Sequence, residues 1–487
     1  MAPTFSKRAL ALGGGGFTGY LFEIGALTAL DDLFEDGVTM NDLDLYVGVS
    51  AGAAAASLLA NGVRPQEILD TNLSGTRPYY FDHRNVFSPA IGEGLKTVWR
   101  VTRQLVPLLK FYVRHYGEMT FIDLLDKAQD ALPSGIYTLE PFAKYLEAIF
   151  KVKGLSDRFA GLAKELYIPA IDLETGDGVL FGDEDWRDVP ISRAVTASSA
   201  VPIYFCPVRI QGRDYIDAGI GRMAFFEIAV QKHVDFMIMI NPMARAPQTR
   251  SRQAQPAVGK PGNRLRDRGF LSIGEQASRI NFDARFSQAL ERFQQDYPEK
   301  EVLAISPVEA DALLFERSFL SYDDRIHLLR AGYVAVMTLA RDRWEDLSAQ
   351  FARHGLALSR ARFEDRAGRR LARLDEVARV ADPNTFSPWS DRHASAVSAR
   401  PGARPSKQRR RGTYDERSRD VQGVARGSGS RSRHACLFRI DCRAIRRSRS
   451  EIAVYLCIDS GDERGCEGIS RHPPPAADRE GRSGSHR

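Results

Sequence analysis

Residues 43–60 read Leu-Asp-Leu-Tyr-Val-Gly-Val-Ser-Ala-Gly-Ala-Ala-Ala-Ala-Ser-Leu-Leu-Ala. The apolar run 43–49 has the length of a strand, it breaks at Ser50, Ala51 and Gly52, and the alanine-rich stretch 53–60 is a strong helix former. Gly48, Ser50 and Gly52 therefore fit G-x-S-x-G in the setting that motif needs, after a strand and before a helix. A tight turn of this kind holds a hydroxyl clear of the sheet, and the helix amino terminus beside it favours developing negative charge. A small-residue turn that only seats a helix on a sheet has the same pattern, so the motif needs support from the rest of the chain.

The same unit stands just upstream. Residues 9–12 are a short apolar strand that runs into Gly13, Gly14, Gly15 and Gly16, after which Tyr20, Leu21, Ile24, Leu27, Leu30 and Leu33 recur at helical spacing. Gly14 to Gly19 also fit G-x-G-x-x-G, which brings a nucleotide-binding protein into consideration. Such a fold wants an acidic residue at the end of its second strand, where this chain has Gly48, Val49 and Ser50, and no G-K-[ST] of a P-loop is present. The better use of Gly14, Gly15 and Gly16 is to present backbone N–H groups to an oxyanion beside Ser50. Further strands are predicted at 166–171, 179–181, 207–210, 236–240 and 302–305, and helices at 191–198, 220–230, 273–294, 324–339 and 341–351. Strands alternating with helices argue for an α/β protein whose sheet is mainly parallel and covered on both faces. Residues 245–269, rich in Gln, Pro, Gly and Arg, are expected to form a mobile loop.

A free serine hydroxyl is a poor nucleophile and needs a base. His83, His115, His233, His327 and His354 lie in undistinguished local sequence; His233 and His327 follow Asp217 in the Ser, Asp, His order of one hydrolase class. Asp217 is placed differently. It follows an apolar hairpin (208–210, turn at Gly212, then Tyr215 and Ile216) and precedes Ala218 and Gly219, so small neighbours leave its carboxylate accessible; capping of the helix predicted next is its plainer role.

GGGFTG at residues 14–19, GVSAG at 48–52, ASSAVPIYFCPV at 197–208 and DAG at 217–219 occur together and in that order. With them the chain resembles the patatin-like phospholipase family over roughly its first half. The resemblance implies a three-layer α/β/α sandwich with a mainly parallel central sheet and a Ser-Asp dyad without a catalytic histidine. In it Ser50 attacks an acyl ester, Asp217 is the base, and the oxyanion hole maps onto Gly14, Gly15 and Gly16; Gly19, Gly48, Gly52, Ala218 and Gly219 complete the motifs. The function it implies is that of a serine acyl hydrolase of the phospholipase A or lysophospholipase type, acting on a lipid or phospholipid without cofactor or metal. A catalytically silent lipid-binding relative is the alternative. Thr18 stands where the family usually carries Arg or Lys, and Ala218 where it usually carries Gly; alanine serves at 218 only if that position does not require a positive φ.

Composition agrees with one large globular body and a separate tail. Of 487 residues 43% are hydrophobic and 27% charged, which excludes collagen-like and wholly disordered chains. The net charge of +6 is uneven: residues 391–487 hold 22 basic and 12 acidic side chains, leaving residues 1–390 at about −4. No nucleic acid is therefore expected for the body. The expected division is an acyl hydrolase domain at 1–390, with its motifs in 8–242 and a helical part at 270–380, and an Arg/Ser-rich disordered C-terminal tail at 391–487. Lys407 is the only lysine in that tail, a bias that fits a frame-shifted reading of a GC-rich gene; if native, the tail is an arm for anionic partners. Cys206 lies in the body and Cys436, Cys442, Cys457 and Cys466 in the tail, without the C-x-x-C pairing of a zinc site. No run approaches the roughly 18 apolar residues of a membrane span, and the amino terminus reads as a mature cytoplasmic start. A peripheral membrane surface is the second candidate location, because residues 95–116 combine Trp99, Phe111, Tyr112 and Tyr116 with five basic and no acidic side chains.

Overall fold

The computed structural model describes residues 6–90, 133–221, 224–243, 269–307, 314, 318–322 and 324–381. The aromatic and basic stretch 95–116, all of the predicted loop 245–269 but Gly269, and the tail 391–487 lie outside the described residues.

The first half of the chain alternates as its pattern predicts: β1 (Arg8–Leu12), α1 (Gly16–Leu33), β2 (Leu45–Gly48), α2 (Ala51–Ala60), α3 (Pro65–Ser74) and the single turn α4 (His83–Val86). Two short strands, β3 (Ser88–Pro89) and β4 (Gly135–Thr138), are followed by α5 (Glu140–Lys153). Next come β5 (Glu165–Asp172), β6 (Gly178–Phe181), α6 (Ile191–Ser198), β7 (Ile203–Phe205), β8 (Val208–Ile210) and β9 (Arg213–Asp217). The last elements are α7 (Ala224–Gln231), β10 (Phe236–Ile240), α8 (Phe270–Asp296), β11 (Glu301–Ile305), α9 (Arg325–Asp342), α10 (Trp344–Arg353) and α11 (Arg360–Ala381).

The main sheet has the order β11-β10-β1-β2-β5-β9-β8, with β6 also on β5; β3, β4 and β7 form a separate small sheet. From β11 to β5 the pairing is parallel, and β6, β8 and β9 add an antiparallel edge. Strand alternation sorts the core into two faces. Leu10 and Leu12 of β1, Tyr46 of β2 and Phe236, Ile238 and Ile240 of β10 face α1, α2, α6 and α9. Ala9, Ala11, Leu45, Val47, Met237 and Met239 face α7 and α8 instead. The molecule is thus the expected three-layer α/β/α sandwich. Each buried aromatic or large aliphatic side chain stabilises it by about 1.5–3 kcal/mol, and α1 is buried almost throughout its length because helices pack on it from several sides. β1, β2 and β10 end on one side of the sheet, so Gly13, Ser50 and Asn241 leave it together, where open α/β sheets gather their sites.

Candidate active site

Ser50 stands between β2 and α2 at φ 57° and ψ −128°, a conformation that costs a residue with a Cβ about 1–3 kcal/mol. The strain is held by its surroundings. A Cβ on Gly52 would lie 2.7 Å from the Leu12 carbonyl oxygen, so only glycine lets α2 start this close to β1. The Ser50 N–H donates to the Ser198 hydroxyl at 3.0 Å, and two residues further along, the Ala200 carbonyl accepts the Asp217 N–H at 3.0 Å. The end of α6 and the residues that follow it therefore tie both residues into one frame.

Asp217 ends β9 and is 3% exposed. Burial pushes its carboxyl up to about 6, against the opposing pull of the Ser50 hydroxyl and of the Gly219 N–H, which donates to Oδ1 at 2.7 Å. That same bond shapes a single 3-10 turn, Ala218–Ile220, so the helix predicted from 220 begins instead at Ala224. Arg285 of α8 donates to the carbonyls of Ile220 at 2.7 Å and Gly219 at 3.1 Å, and also to that of Gly221, pinning the turn.

The glycine loop crosses the same pocket with Gly14, Gly15 and Gly16 at φ 75°, 109° and 65°. A Cβ on Gly14 would fall 2.4 Å from the Val49 carbonyl oxygen, which brings the loop against the Ser50 elbow. Gly14 departs from the expectation that it offers its N–H to an oxyanion, because that N–H donates to Glu23 Oε1 at 2.8 Å. Among the described residues no acceptor meets the N–H of Gly15 or Gly16. Gly19 lies in the first turn of α1 with its N–H on the Gly15 carbonyl at 3.0 Å, and Gly48 ends β2.

Residues 10–230 match the family model of patatin-like phospholipases. This stretch, a little under half of the chain, is similar to patatin-like phospholipase domains. A probable lipid hydrolase of Invertebrate iridescent virus 6 is 23% identical over 234 residues, 46% of this chain and 64% of the relative. Among solved structures, VipD from Legionella pneumophila is similar at 16% identity, covering 69% of this chain and 67% of its own, with a TM-score of 0.31. Full-length ExoU of Pseudomonas aeruginosa in complex with SpcU is similar at 17% identity over 79% of this chain and 72% of its own, with a TM-score of 0.22.

In the patatin-like domain the two departures from the family motifs are accommodated. Ala218 does not take a positive φ, and the buried Thr18 hydroxyl donates to the Gly15 carbonyl at 3.1 Å. Ser50, Asp217, Gly15 and Gly16 all line one cavity of about 130 Å³. Its far wall is apolar, built from Tyr20, Phe81, Leu139 and Phe142, with ring centroids of Tyr20 and Phe81 at 4.9 Å and of Phe81 and Phe142 at 5.4 Å. Asp217 is the only carboxylate among the described lining residues, which include no cation and no histidine. His233 is exposed beyond α7, and His354 stacks on Phe236 at 4.6 Å. Met243 lies against the Cα side of Gly15 and Phe319 against that of Gly16. No group of three His, Cys, Asp or Glu side chains is placed to hold a metal, and no helix is long and apolar enough to cross a membrane, among the described residues.

Proposed function

We propose that the protein hydrolyses acyl esters of lipids through a Ser50–Asp217 dyad. Asp217, ionised, takes the Ser50 proton as Oγ attacks the ester carbonyl, and the N–H groups of Gly15 and Gly16 receive the negative charge on the carbonyl oxygen. The proton passes from Asp217 to the leaving alcohol, leaving an acyl group on Ser50. A water that gives its proton to Asp217 then releases the fatty acid and restores the serine. The observation that carries this reading is a serine on a positive-φ elbow beside a buried carboxylate, both at the end of an apolar pocket. That pocket suits an acyl chain: apolar walls shelter methylenes, and the polar groups collect where the ester would lie.

Fatty-acid release from phosphatidylcholine vesicles and from lysophosphatidylcholine, measured for wild type and Ser50→Ala, tests the proposal. Release by wild type and none by Ser50→Ala is expected. Release that survives Ser50→Ala refutes the dyad, and binding of the lipid without release by wild type makes the protein a silent lipid binder.

A further inference from the structure

Glu23 is a carboxyl residue of α1 with 0% exposure, and it lies nine residues after Gly14, under the glycine loop. Its Oε1 accepts the Gly14 N–H at 2.8 Å, while Oε2 is buried without a hydrogen-bond partner. A buried polar oxygen left unmade costs about 1–3 kcal/mol, so the fold keeps this side chain at the expense of stability. The neighbouring N–H tethers of the loop are made by backbone: Gly13 to the Ile240 carbonyl at 2.9 Å, Phe17 to the Phe319 carbonyl at 2.8 Å and Gly19 to the Gly15 carbonyl at 3.0 Å. Gly14 is tethered instead by a side-chain acceptor, and the Gly13 N–H also bears on the same Glu23 carboxyl. Three successive positive-φ glycines have the greatest freedom to lose, so a loop of this composition aims its N–H groups only as well as it is tethered.

We propose that Glu23 is a positioning residue of the reaction: by taking the Gly14 N–H it fixes the Gly13–Gly14 peptide, where the glycine turn begins, and so aims the N–H groups of Gly15 and Gly16 at the oxygen of the ester attacked by Ser50. This rests on the Ser50–Asp217 reading. Glu23 touches no substrate and acts through the loop. Burial holds its carboxyl well above the usual carboxylate range, which favours an uncharged acceptor beneath the site. A glutamine can do the same, whereas a methionine fills the volume without an acceptor.

The test compares wild type, Glu23→Gln, Glu23→Met and, as a second apolar variant with no crowding, Glu23→Ala. Each is titrated with a fluorophosphonate, and kcat and KM for p-nitrophenyl octanoate are expressed per labelled site, so molecules that do not fold drop out. Glu23→Gln is expected within about threefold of wild type, and the apolar variants to lose about 30-fold or more in kcat with KM within threefold. Equal losses in Glu23→Gln and the apolar variants, or wild-type kcat in an apolar variant, would overturn the proposal. Wild type that neither labels nor turns over would instead remove the dyad reading on which it rests.

Discussion

At the scale of single residues, the dyad reading ties activity and stability to Asp217 in opposite senses. The base must be ionised, so kcat/KM is expected to rise with pH through about 6 and to be lost below it. The folded-state value lies above the ordinary carboxylate value, so the native state holds its proton more tightly than the unfolded chain does between about pH 4 and 6. Stability from this site is therefore present at low pH and is lost as pH rises through about 6. Asp217→Asn should abolish turnover yet gain up to about 3 kcal/mol at pH 8 and nothing at pH 3.5, read from urea unfolding at both pH values. Ser50 makes a similar contrast. Ser50→Gly and Ser50→Ala should both be inactive, but the glycine variant should be the more stable by about 1 kcal/mol, because only glycine relieves the positive φ. Equal stabilities would mean that the elbow stores no strain.

Among the elements, the strands and helices that place Ser50 were readable from local pattern. The predicted strand 236–240 and helix 191–198 coincide with β10 and α6, and those at 9–12 and 166–171 lie within a residue of β1 and β5. The elements that went unread have specific causes. α3 and α5 carry Pro65 and Pro141 in their first turn, where a missing N–H costs nothing, although proline read along a sequence looks like a breaker. α11 falls in the 270–380 part expected to be helical, but it is so charged that its buried Phe363, Ala367, Leu374 and Ala378 are hard to pick out as a face and its bounds were not read. In the site, Ser50 and Asp217 stood out through their small neighbours, whereas Ser198, Glu23 and Arg285 did not. Ser198 meets Ser50 across 148 positions and Arg285 reaches Gly219 across 66, pairings that only the packing of helices on the sheet creates. Arg285 is the joint between α8 and the turn after Asp217. Arg285→Ala should cost about 1.5–3 kcal/mol in stability and at least about tenfold in kcat, read from thermal unfolding and ester turnover. Unchanged kcat would show that the turn holds its shape without the arginine.

Across the whole molecule, the sheet separates two hydrophobic faces, and the candidate site is assembled from both. The glycine loop and elbow lead into α1 and α2 on one face, while Phe282 and Ser278 of α8 reach the pocket from the other. Distant parts of the described chain are also joined: Asp32 of α1, 2% exposed, receives Arg370 of α11 at 3.1 Å and the Tyr333 hydroxyl of α9 at 2.9 Å, so α9 and α11 close over the helix that follows the glycine loop. Long-range ties of this kind hold the helix that follows the glycine loop in place, which is what the proposed Ser50–Asp217 dyad, with no third orienting group, requires of its frame. The most direct test of that claim is the intact mass of the protein after exposure to a fluorophosphonate, compared among wild type, Ser50→Ala and Asp217→Asn. One adduct on wild type, none on Ser50→Ala and slowed labelling of Asp217→Asn are predicted. A folded wild type that takes no adduct, or an adduct that persists in Ser50→Ala, would contradict the account.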